Sequence, residues 1–265
     1  MKKINKPEYN EVLVGILTYL DYICRKNNIK YTLVGGTLIG AIRHRGIIPW
    51  DDDIDIALMP DQYKKLIKAL KQDDNKQFKL FNPEENSDYL YPFAKLIDTR
   101  TLLREKEIKQ TSGYGIYVDI FQYHNAPKTK LVRILHYRHI QFYKMMIATC
   151  MLSCDSRKSI KRTIRKIIAK ILTTEGIKKK YIKINKKYDS KPTEYVLINW
   201  PAYGHAKDYM RAEWFKKYTN TLFENHNFMI SSEYDKILRT TFDDYMKLPP
   251  KEKRKSNHNI EAYWI

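Results

Sequence analysis

The sequence predicts an α/β (α+β) fold with a mixed sheet, and three observations support this class. Over the first 125 residues, short runs rich in β-branched and aromatic residues alternate with patterns of helical spacing. After Pro127 the chain changes to long helical patterns, and a late run, EYVLINW, returns to strand character. We therefore predict a sheet-bearing core over 1–125 and a helical, basic region with a C-terminal segment over 126–265, packed together as one compact unit.

The elements of the first half follow from spacing and punctuation. Apolar residues at helical intervals predict a helix over about 8–27. YTLV predicts a strand, Gly35-Gly36 a turn and TLIGAIRH a short helix, and DIDIAL predicts the next strand. Pro60 begins the helix over DQYKKLIKALKQ, because proline is favoured at the first helical position. Further strands are predicted at FKLF, PFAKLID, TLL and GIYVDIF.

Helices dominate the second half, with predicted spans of 129–152, 158–172 and 175–188. Residues 157–187 contain thirteen Lys or Arg and one acid, Glu175. In this segment the isoleucines share one helix face and the basic residues lie off it: Ile160, Ile164, Ile167, Ile168 and Ile171, against Lys161, Arg162, Arg165 and Lys166. Such a helix fits an anionic membrane surface, and it equally fits an ordinary packed helix with a solvated basic face.

Composition narrows the class of protein. The net charge of +19 favours anionic partners, namely nucleic acid, phosphorylated glycans, nucleotides or lipid surfaces, and does not choose among them. Cys24, Cys150 and Cys154 are too few for a disulfide framework, which predicts a reducing compartment. The apolar stretch after the N-terminal lysines is short and continues as a helix, and no run of about 18 apolar residues predicts a membrane span.

The most informative stretch is GGTLIGAIRHRGIIPWDDDIDIAL, residues 35–58. In a strand, Asp53 and Asp55 share a face while Ile54 and Ile56 point to the other side. Two like charges on a half-buried strand need a cation, and an oxygen-only ligand set suits Mg²⁺ or Mn²⁺. A solvated acidic loop is the alternative, and it accounts better for the preceding aspartates, Asp51 and Asp52, than for this pair.

A third carboxylate and a glycine pair complete the pattern. Asp119 lies in the apolar strand GIYVDIF, where it is either a structural aspartate or the third acid of a site that holds two metal ions for phosphoryl transfer. Gly35, Gly36 and Thr37 follow a strand and open a helix, where small residues and free amides allow a phosphate to approach.

These residues resemble the nucleotidyltransferase superfamily, and residues 35–58 in particular are similar to the LicD family of phosphocholine transferases. KLIDTRT, GIYVDIF and, near the C-terminus, FDDYMKLPPKEKRKSNH agree with that family. The resemblance implies a nucleotidyltransferase-type core. It also implies transfer of phosphocholine from CDP-choline to a sugar hydroxyl of a bacterial surface glycan, of lipopolysaccharide or teichoic acid type, with release of CMP. Other CDP-linked donors, carrying ethanolamine, ribitol or glycerol phosphate, are the alternative.

The resemblance assigns roles to particular residues. It implies that Asp53, Asp55 and Asp119 bind two Mg²⁺ or Mn²⁺ ions and that Gly35, Gly36 and Thr37 form the phosphate turn. Asp119 is also a candidate base for the acceptor hydroxyl. By position between the two motifs, Arg43, His44 and Arg45 are candidates for neutralising phosphate charge, and a place on the helix surface accounts for them equally well. Lys95, in a predicted strand, is a further candidate for the same role.

Choline adds a requirement for aromatic residues, because a quaternary ammonium is held by ring faces. Four residues are candidates, although core packing accounts equally well for each: Trp50, Trp200, Tyr203 and Trp214. We expect a cytoplasmic enzyme that binds the cytoplasmic membrane face peripherally when its acceptor is lipid-linked. The rival hypotheses are a nucleotidyltransferase acting on nucleic acid, which the extended LicD-like motifs disfavour, and a non-catalytic binding protein.

Overall fold

The structure, a computed structural model, describes residues 1–85, 89–105, 108–109, 113–152, 172–256 and 260–265. Its helices within these ranges are α1 Lys6–Lys26, α2 Gly35–Ile39, α3 Pro60–Gln72, α4 Lys130–Met151, α5 Thr174–Asn185, α6 His205–Asp208 and α7 Tyr234–Phe242. The strands are β1 Lys2–Lys3, β2 Thr32–Leu33, β3 Asp55–Leu58, β4 Phe78–Phe81, β5 Ala94–Asp98, β6 Thr101–Glu105, β7 Tyr117–Ala126, β8 Tyr195–Ile198, β9 Tyr209–Arg211, β10 Tyr218–Phe223, β11 His226–Ser231 and β12 Ile260–Trp264.

A seven-stranded mixed sheet forms the centre of the fold. Its main path is β2-β3-β7-β5-β4, and β8 joins β7 while β9 joins β8. The β3–β7 pair is parallel and the remaining pairs of this sheet are antiparallel. The α/β (α+β) class with a mixed sheet is therefore confirmed. Strand β7 is long enough to pair through its first part with β3 and β5 and through its last residues with β8.

Helix α1 covers one face of this sheet. It begins at a capping box, in which the Asn5 side chain accepts from the Glu8 amide and the Glu8 carboxylate accepts from the Asn5 amide. Its apolar stripe, including Leu13 and Leu17, is fully buried in the main core. Val118 and Ile120 of β7 belong to the same core. Because strand side chains alternate, the residues between and beside them, including Asp119, face the opposite side.

The C-terminal half contributes strands that the sequence patterns did not predict. β10 and β11 form a hairpin, with Glu224 and Asn225 of its turn at positive φ. β12 lies between β1 and β6, which ties the two ends of the chain into one small sheet. The division at 125/126 stays a prediction, and β8 pairs with β7 across it. The helix expected over 158–172, with the basic isoleucine-containing surface of 157–171, falls outside the described residues except for Leu172.

The helices can be compared with the dimensions of a bilayer. Across the described ranges, none is both long enough and apolar enough to cross a membrane.

Candidate active site

Strand register brings the predicted carboxylates to one face of the sheet. Asp55 lies opposite Asp119 in the parallel β3–β7 pair, and Lys95 of β5 lies opposite Asp119 on its other side. Asp53 lies two residues before β3, so the strand begins later than the predicted start at Asp53. All four side chains line one cavity of about 460 Å³. Three neighbouring strands therefore carry a row of Asp55, Asp119 and Lys95, and Asp53 lies beside this row in the preceding loop.

The glycine pair lies against these carboxylates. Gly35 has φ +58°, and a methyl group added to it would lie 3.3 Å from Asp55 Oδ2; one added to Gly36 would lie 2.4 Å from Asp51 Oδ2. Thr37 Oγ1 accepts a 2.9 Å hydrogen bond from the Asp55 amide. The prediction of a separate turn before the helix is wrong, because α2 begins at Gly35 itself. The missing side chains of Gly35 and Gly36 allow the aspartates to lie close to the first turn of α2. Of Gly35, Gly36 and Thr37, only Gly35 lines the cavity.

Burial makes the acids costly to ionise. Burial raises the pKa of Asp55 well above its ordinary value, and the negative charges of Asp53 and Asp119 raise it further. Burial also raises the pKa of Asp51 to about 7, helped by the charges of Asp53 and Asp52. Asp55 Oδ1 is buried and has no hydrogen-bond partner among the residues that the structure describes. A buried carboxylate oxygen without a partner is the kind of atom that a bound cation satisfies.

Asp119 already has a cation beside it. Lys95 Nζ lies 2.5 Å from Asp119 Oδ1, and both side chains are largely removed from solvent. Burial raises the pKa of Asp119 to about 6, a rise that the Lys95 charge limits. The Lys95 ammonium also lies 3.3 Å from the centre of the Tyr117 ring and 4.5 Å from that of Tyr91. The rings of Tyr91 and Tyr117 therefore surround the Lys95 ammonium, which is paired with Asp119 at the cavity wall.

The donor set fits a hard divalent cation, since it consists of carboxylate oxygens. Oxygens of Asp51, Asp52 and Asp53 lie within 4.8 Å of one another. Among the described residues, the predicted trio of Asp53, Asp55 and Asp119 does not converge this closely, and Lys95 accounts for the position of Asp119. Asp51 and Asp52 lie in the loop that precedes β3, as the alternative expected, and both are half-buried there.

Arg43 and His44 lie away from this cavity wall. Arg43 donates to the Tyr245 carbonyl at 2.6 Å and to the Lys247 carbonyl at 3.3 Å, which fixes the segment after α7. The His44 ring packs edge-on against Trp50, 6.1 Å between ring centres. Arg45 occupies the left-handed region at the end of the π-helical segment Gly40–His44. The structure thus brings Lys95 to the acids and leaves these three residues outside the cavity lining.

Two of the four candidate aromatic residues line the cavity, namely Trp200 and Tyr203. The Tyr203 hydroxyl would lie 3.7 Å from a methyl group added to Gly35, so Tyr203 and Asp55 both approach this glycine. Its ring packs edge-on against Phe242 with centres 4.8 Å apart. Trp214 packs at the margin of the main core instead, and Trp50 lies in a second cavity.

Asp208 is a site residue that sequence reasoning missed. Its buried carboxylate accepts from the amides of Tyr203 at 3.0 Å and Gly204 at 2.8 Å, and from the Tyr137 hydroxyl at 2.7 Å. Asp208 therefore fixes the loop that carries Tyr203 into the cavity. No local sequence signal distinguishes it from other aspartates, because its partners depend on the packing of α4 beside α6.

A second cavity, of about 430 Å³, lies on the other side of the aspartate run. Asp52 lines it together with Trp50, a second acid, Glu261, and four basic residues, Lys3, Lys6, Arg254 and Lys255. The Arg254 guanidinium lies 5.5 Å from the centre of the Trp50 ring, and the Ser256 hydroxyl donates to Asp52. Because Asp53 lines the first cavity and Asp52 the second, the acidic run separates an aromatic cavity from a cationic one.

The chain is similar over nearly its whole length to a known protein. The chain is 32% identical over 271 aligned residues to the lipopolysaccharide cholinephosphotransferase LicD of Haemophilus influenzae, covering 99% of both chains. It is also 35% identical over 100 residues to an uncharacterized protein of Rickettsia typhi, covering 38% of this chain and 31% of that protein. A second uncharacterized protein, from Rickettsia prowazekii, is 55% identical over 47 residues and 18% of each chain.

The nucleotidyltransferase domain of the LicD/FKTN/FKRP family matches residues 28–153. This range begins before β2 and includes the glycine pair, the aspartate run, Lys95 and Asp119. The resemblance stated from the motifs is thereby confirmed over the site and, through the Haemophilus protein, over nearly the whole length. The chain belongs to the LicD family.

Proposed function

We propose that this protein transfers phosphocholine from CDP-choline to a sugar hydroxyl of a bacterial surface glycan, of lipopolysaccharide or teichoic acid type, and releases CMP. The observation that carries this proposal is the row Asp55–Asp119–Lys95 beside Gly35, in a chain related over its full length to a protein named as a lipopolysaccharide cholinephosphotransferase. A cytoplasmic location belongs to the same proposal.

The reaction forms one bond to phosphorus and breaks another. The acceptor oxygen attacks the choline-bearing phosphorus, the bond from that phosphorus to the oxygen of CMP breaks, and CMP leaves with the bonding electrons. Asp119 receives the acceptor proton and later releases it to solvent. A buried acid with a pKa near 6 is better matched to this task than an ordinary aspartate, because its carboxylate form is more basic. Lys95 positions that carboxylate.

Asp53 and Asp55 would hold a divalent cation, with Asp119 contributing to a second ion. Mg²⁺ or Mn²⁺, when bound, would neutralise charge on the diphosphate and its leaving oxygen. Asp51 and Asp52 extend the same set of oxygen donors towards the cationic cavity. Gly35 and Gly36 leave room for these carboxylates at the start of α2, and Thr37 fixes the backbone of Asp55.

The two ends of the donor match the two cavities. Choline carries its positive charge only two carbons and one oxygen from phosphorus, so its aromatic partner must lie next to the carboxylates. Tyr203 meets this condition, and Phe242 supplies a second ring beside it. The nucleotide end is anionic and carries a flat base, which suits the cavity formed by Trp50, Lys6 and Arg254.

A double-label assay tests this function. Purified protein is incubated with host glycan and CDP-choline labelled separately in the choline methyl groups and in the cytosine. We expect choline label in the glycan, an equal amount of labelled CMP, and loss of both when EDTA is added. Cytosine label in the acceptor would contradict the proposal, because it would mean nucleotidyl transfer.

Matched controls decide the donor and the active residues. CDP-ethanolamine, CDP-ribitol and CDP-glycerol are compared at equal concentration, and NTPs with RNA test the nucleic-acid alternative. Asp53→Asn should abolish CMP release, whereas Asp61→Asn, an exposed acid in the first turn of α3, should retain it. Faster CMP release from another CDP donor than from CDP-choline would identify that donor's phospho-alcohol as the transferred group.

A further inference from the structure

Helix α4 exposes a row of large apolar side chains, called the α4 stripe below. Leu131, Leu135, Phe142 and Met145 are 65%, 57%, 42% and 46% exposed. Their spacing of four, seven and three residues places them on one helix face. The stripe extends for about 21 Å along the axis, at about 1.5 Å per residue.

The opposite face of α4 is the one that packs into the protein. His136, Ile140, Met146 and Ile147 are buried, and three of them belong to a second apolar core shared with α5 and β8. The stripe therefore does not stabilise the fold through that core. Scattered exposed apolar residues are normal on a protein surface, but four in line on a single helix indicate a surface that another body covers.

The charges around the stripe indicate the nature of that body. Residues 127–152 contain five Lys or Arg and no Asp or Glu. Arg138 falls within the stripe and is exposed, and Lys128 and Lys130 are exposed at its N-terminal end. Large apolar side chains among basic residues, with acids absent, fit the interface of a bilayer that contains anionic lipids.

The same helix reaches the candidate active site. Ala148, Met151 and Leu152, at its C-terminal end, line the aromatic cavity. A bilayer in contact with the stripe would therefore lie close to the cavity wall. Such proximity would allow an acceptor carried on a lipid to reach the cavity, a consequence that rests on the proposed function. Lipid binding by the stripe does not rest on it.

We propose that the α4 stripe, Leu131, Leu135, Arg138, Phe142 and Met145, docks the protein on an anionic lipid surface. The apolar side chains enter the boundary between head groups and acyl chains, and Arg138 with the N-terminal lysines contacts lipid phosphates. The stripe is a distinct surface from the basic segment predicted over 157–187.

Vesicle sedimentation tests this docking without donor or acceptor. Protein is mixed with vesicles of phosphatidylcholine alone or of phosphatidylcholine with phosphatidylglycerol. We expect binding to the anionic vesicles that weakens as salt is added. Leu135→Glu/Phe142→Glu should reduce partitioning about tenfold or more, and Arg138→Ala about fivefold on anionic vesicles only.

The control carries the same two charges on exposed apolar positions elsewhere, Leu222→Glu/Met246→Glu, and should bind vesicles as the wild type does. Circular dichroism and thermal unfolding establish that each variant is folded. Two results would overturn the proposal: wild-type protein that stays in solution with anionic vesicles, or stripe variants that sediment with them undiminished. A wild-type dimer in solution that Leu135→Glu/Phe142→Glu dissociates would instead assign the stripe to a second copy of the chain.

A turnover assay with soluble acceptor separates this proposal from the proposed function. Leu135→Glu/Phe142→Glu should release CMP at the wild-type rate in that assay, because the stripe does not line the cavity. Loss of vesicle binding with retained turnover confirms docking as a separate property. Retained vesicle binding without turnover in the wild type would overturn the proposed function and leave the docking inference standing.

Discussion

At the scale of single residues, the Lys95–Asp119 pair is the most consequential contact in the cavity. Lys95 is almost completely buried, and its ammonium is paired with Asp119 at 2.5 Å. Removing one partner of a buried pair leaves an uncompensated charge, so Lys95→Met should lower the free energy of unfolding by about 3–5 kcal/mol. Urea unfolding, monitored by circular dichroism, measures this change.

The matched control for Lys95→Met is the double variant Lys95→Met/Asp119→Asn. It removes both charges and should recover most of the lost stability while remaining without CMP release, since Asp119 is gone. A Lys95→Met variant as stable as the wild type would contradict the assigned ion pair.

Asp55 offers a test of metal binding that does not depend on turnover. In metal-free protein, burial and neighbouring acids destabilise the charged form of Asp55. Asp55→Asn removes that charge and should raise the melting temperature in EDTA, by about 2–4 °C for each 1 kcal/mol gained. The same variant should lose the increase in melting temperature that Mg²⁺ or Mn²⁺ gives the wild type. A metal-dependent increase that survives Asp55→Asn would exclude Asp55 as a ligand.

The same measurement has a pH dependence with a defined sign. Asp119 and Asp51 have pKa values raised to about 6 and about 7, so the folded protein holds protons that the unfolded chain has released. Metal-free stability should therefore decrease as the pH rises from about 4, near the ordinary carboxyl pKa, to about 7, and should level off above that. Metal ions compete with these protons, so the stabilisation by Mg²⁺ should be larger at about pH 8 than at about pH 5. An equal metal-dependent stabilisation at pH 8 and pH 5 would contradict metal binding by these carboxylates.

Sequence reasoning located the acids but not their partners. Alternation with isoleucines placed Asp53 and Asp55 on one face, and Asp119 stood out in an apolar strand. The Lys95–Asp119 contact depends on β5 lying next to β7, and strand order is not encoded in any local pattern. For the same reason the contact between Arg43 and the Tyr245 carbonyl was not expected and Asp208 was missed. A contact between Lys95 and phosphate stays a prediction.

At the scale of elements, the start of α2 is fitted to the aspartate run. A methyl group on Gly36 would lie 2.4 Å from Asp51 Oδ2, so Gly36→Ala must displace that carboxylate. Because the displaced atom is the end of a side chain, the free energy of unfolding should change by only about 1 kcal/mol. Turnover should fall by up to about 10²-fold, because a shift of about 1 Å at a reacting centre has that effect.

Gly15→Ala is the matched control for Gly36→Ala. Gly15 lies in α1, and a methyl group added to it would meet no atom within 4 Å. This change should therefore stabilise the helix by about 0.5–1 kcal/mol and leave CMP release unaltered. Full turnover by Gly36→Ala would show that the close approach of Asp51 is dispensable.

Elements were predictable where periodicity is strong and uncertain where it is short. α1, α3 and α4 were predicted to within about two residues at either end, because their apolar stripes are long. The start of α2 at Gly35 was missed because a glycine pair is typical of turns. Here the two glycines lie inside the helix, where the positive φ of Gly35 and the close approach of Asp51 and Asp55 favour residues without a side chain. The β10–β11 hairpin did carry a signal, the Glu224–Asn225 turn between alternating residues.

At the scale of the whole molecule, the alternation of strands and helices was sufficient to predict the class, and the family motifs implied the core. The pairing of β8 with β7, and the sheet that joins both ends of the chain, required contacts far apart in sequence. The C-terminal motif consequently lines a cavity beside the N-terminal helix. That assembly is what places an aromatic and a cationic cavity on either side of Asp51, Asp52 and Asp53.

This arrangement predicts that the two cavities affect different parts of the donor. Tyr203→Leu removes the ring beside Asp55 and should lower kcat/KM for CDP-choline about tenfold, in line with a cation–π contribution of about 1–2 kcal/mol. The loss should be smaller for CDP-ethanolamine, whose ammonium donates hydrogen bonds instead. Tyr203→Phe keeps the ring and should preserve the preference for choline.

Arg254→Ala should lower kcat/KM for both donors by the same factor, since the nucleotide end is common to them. Parallel measurement of the two donors with the three variants gives each ratio directly. If Tyr203→Leu lowered kcat/KM by the same factor for both donors, the Tyr203 ring would not be the group that recognises choline. An Arg254→Ala variant that changes the choline preference would mean that the nucleotide does not occupy the cationic cavity, because a group that contacts only the shared part of two substrates cannot discriminate between them.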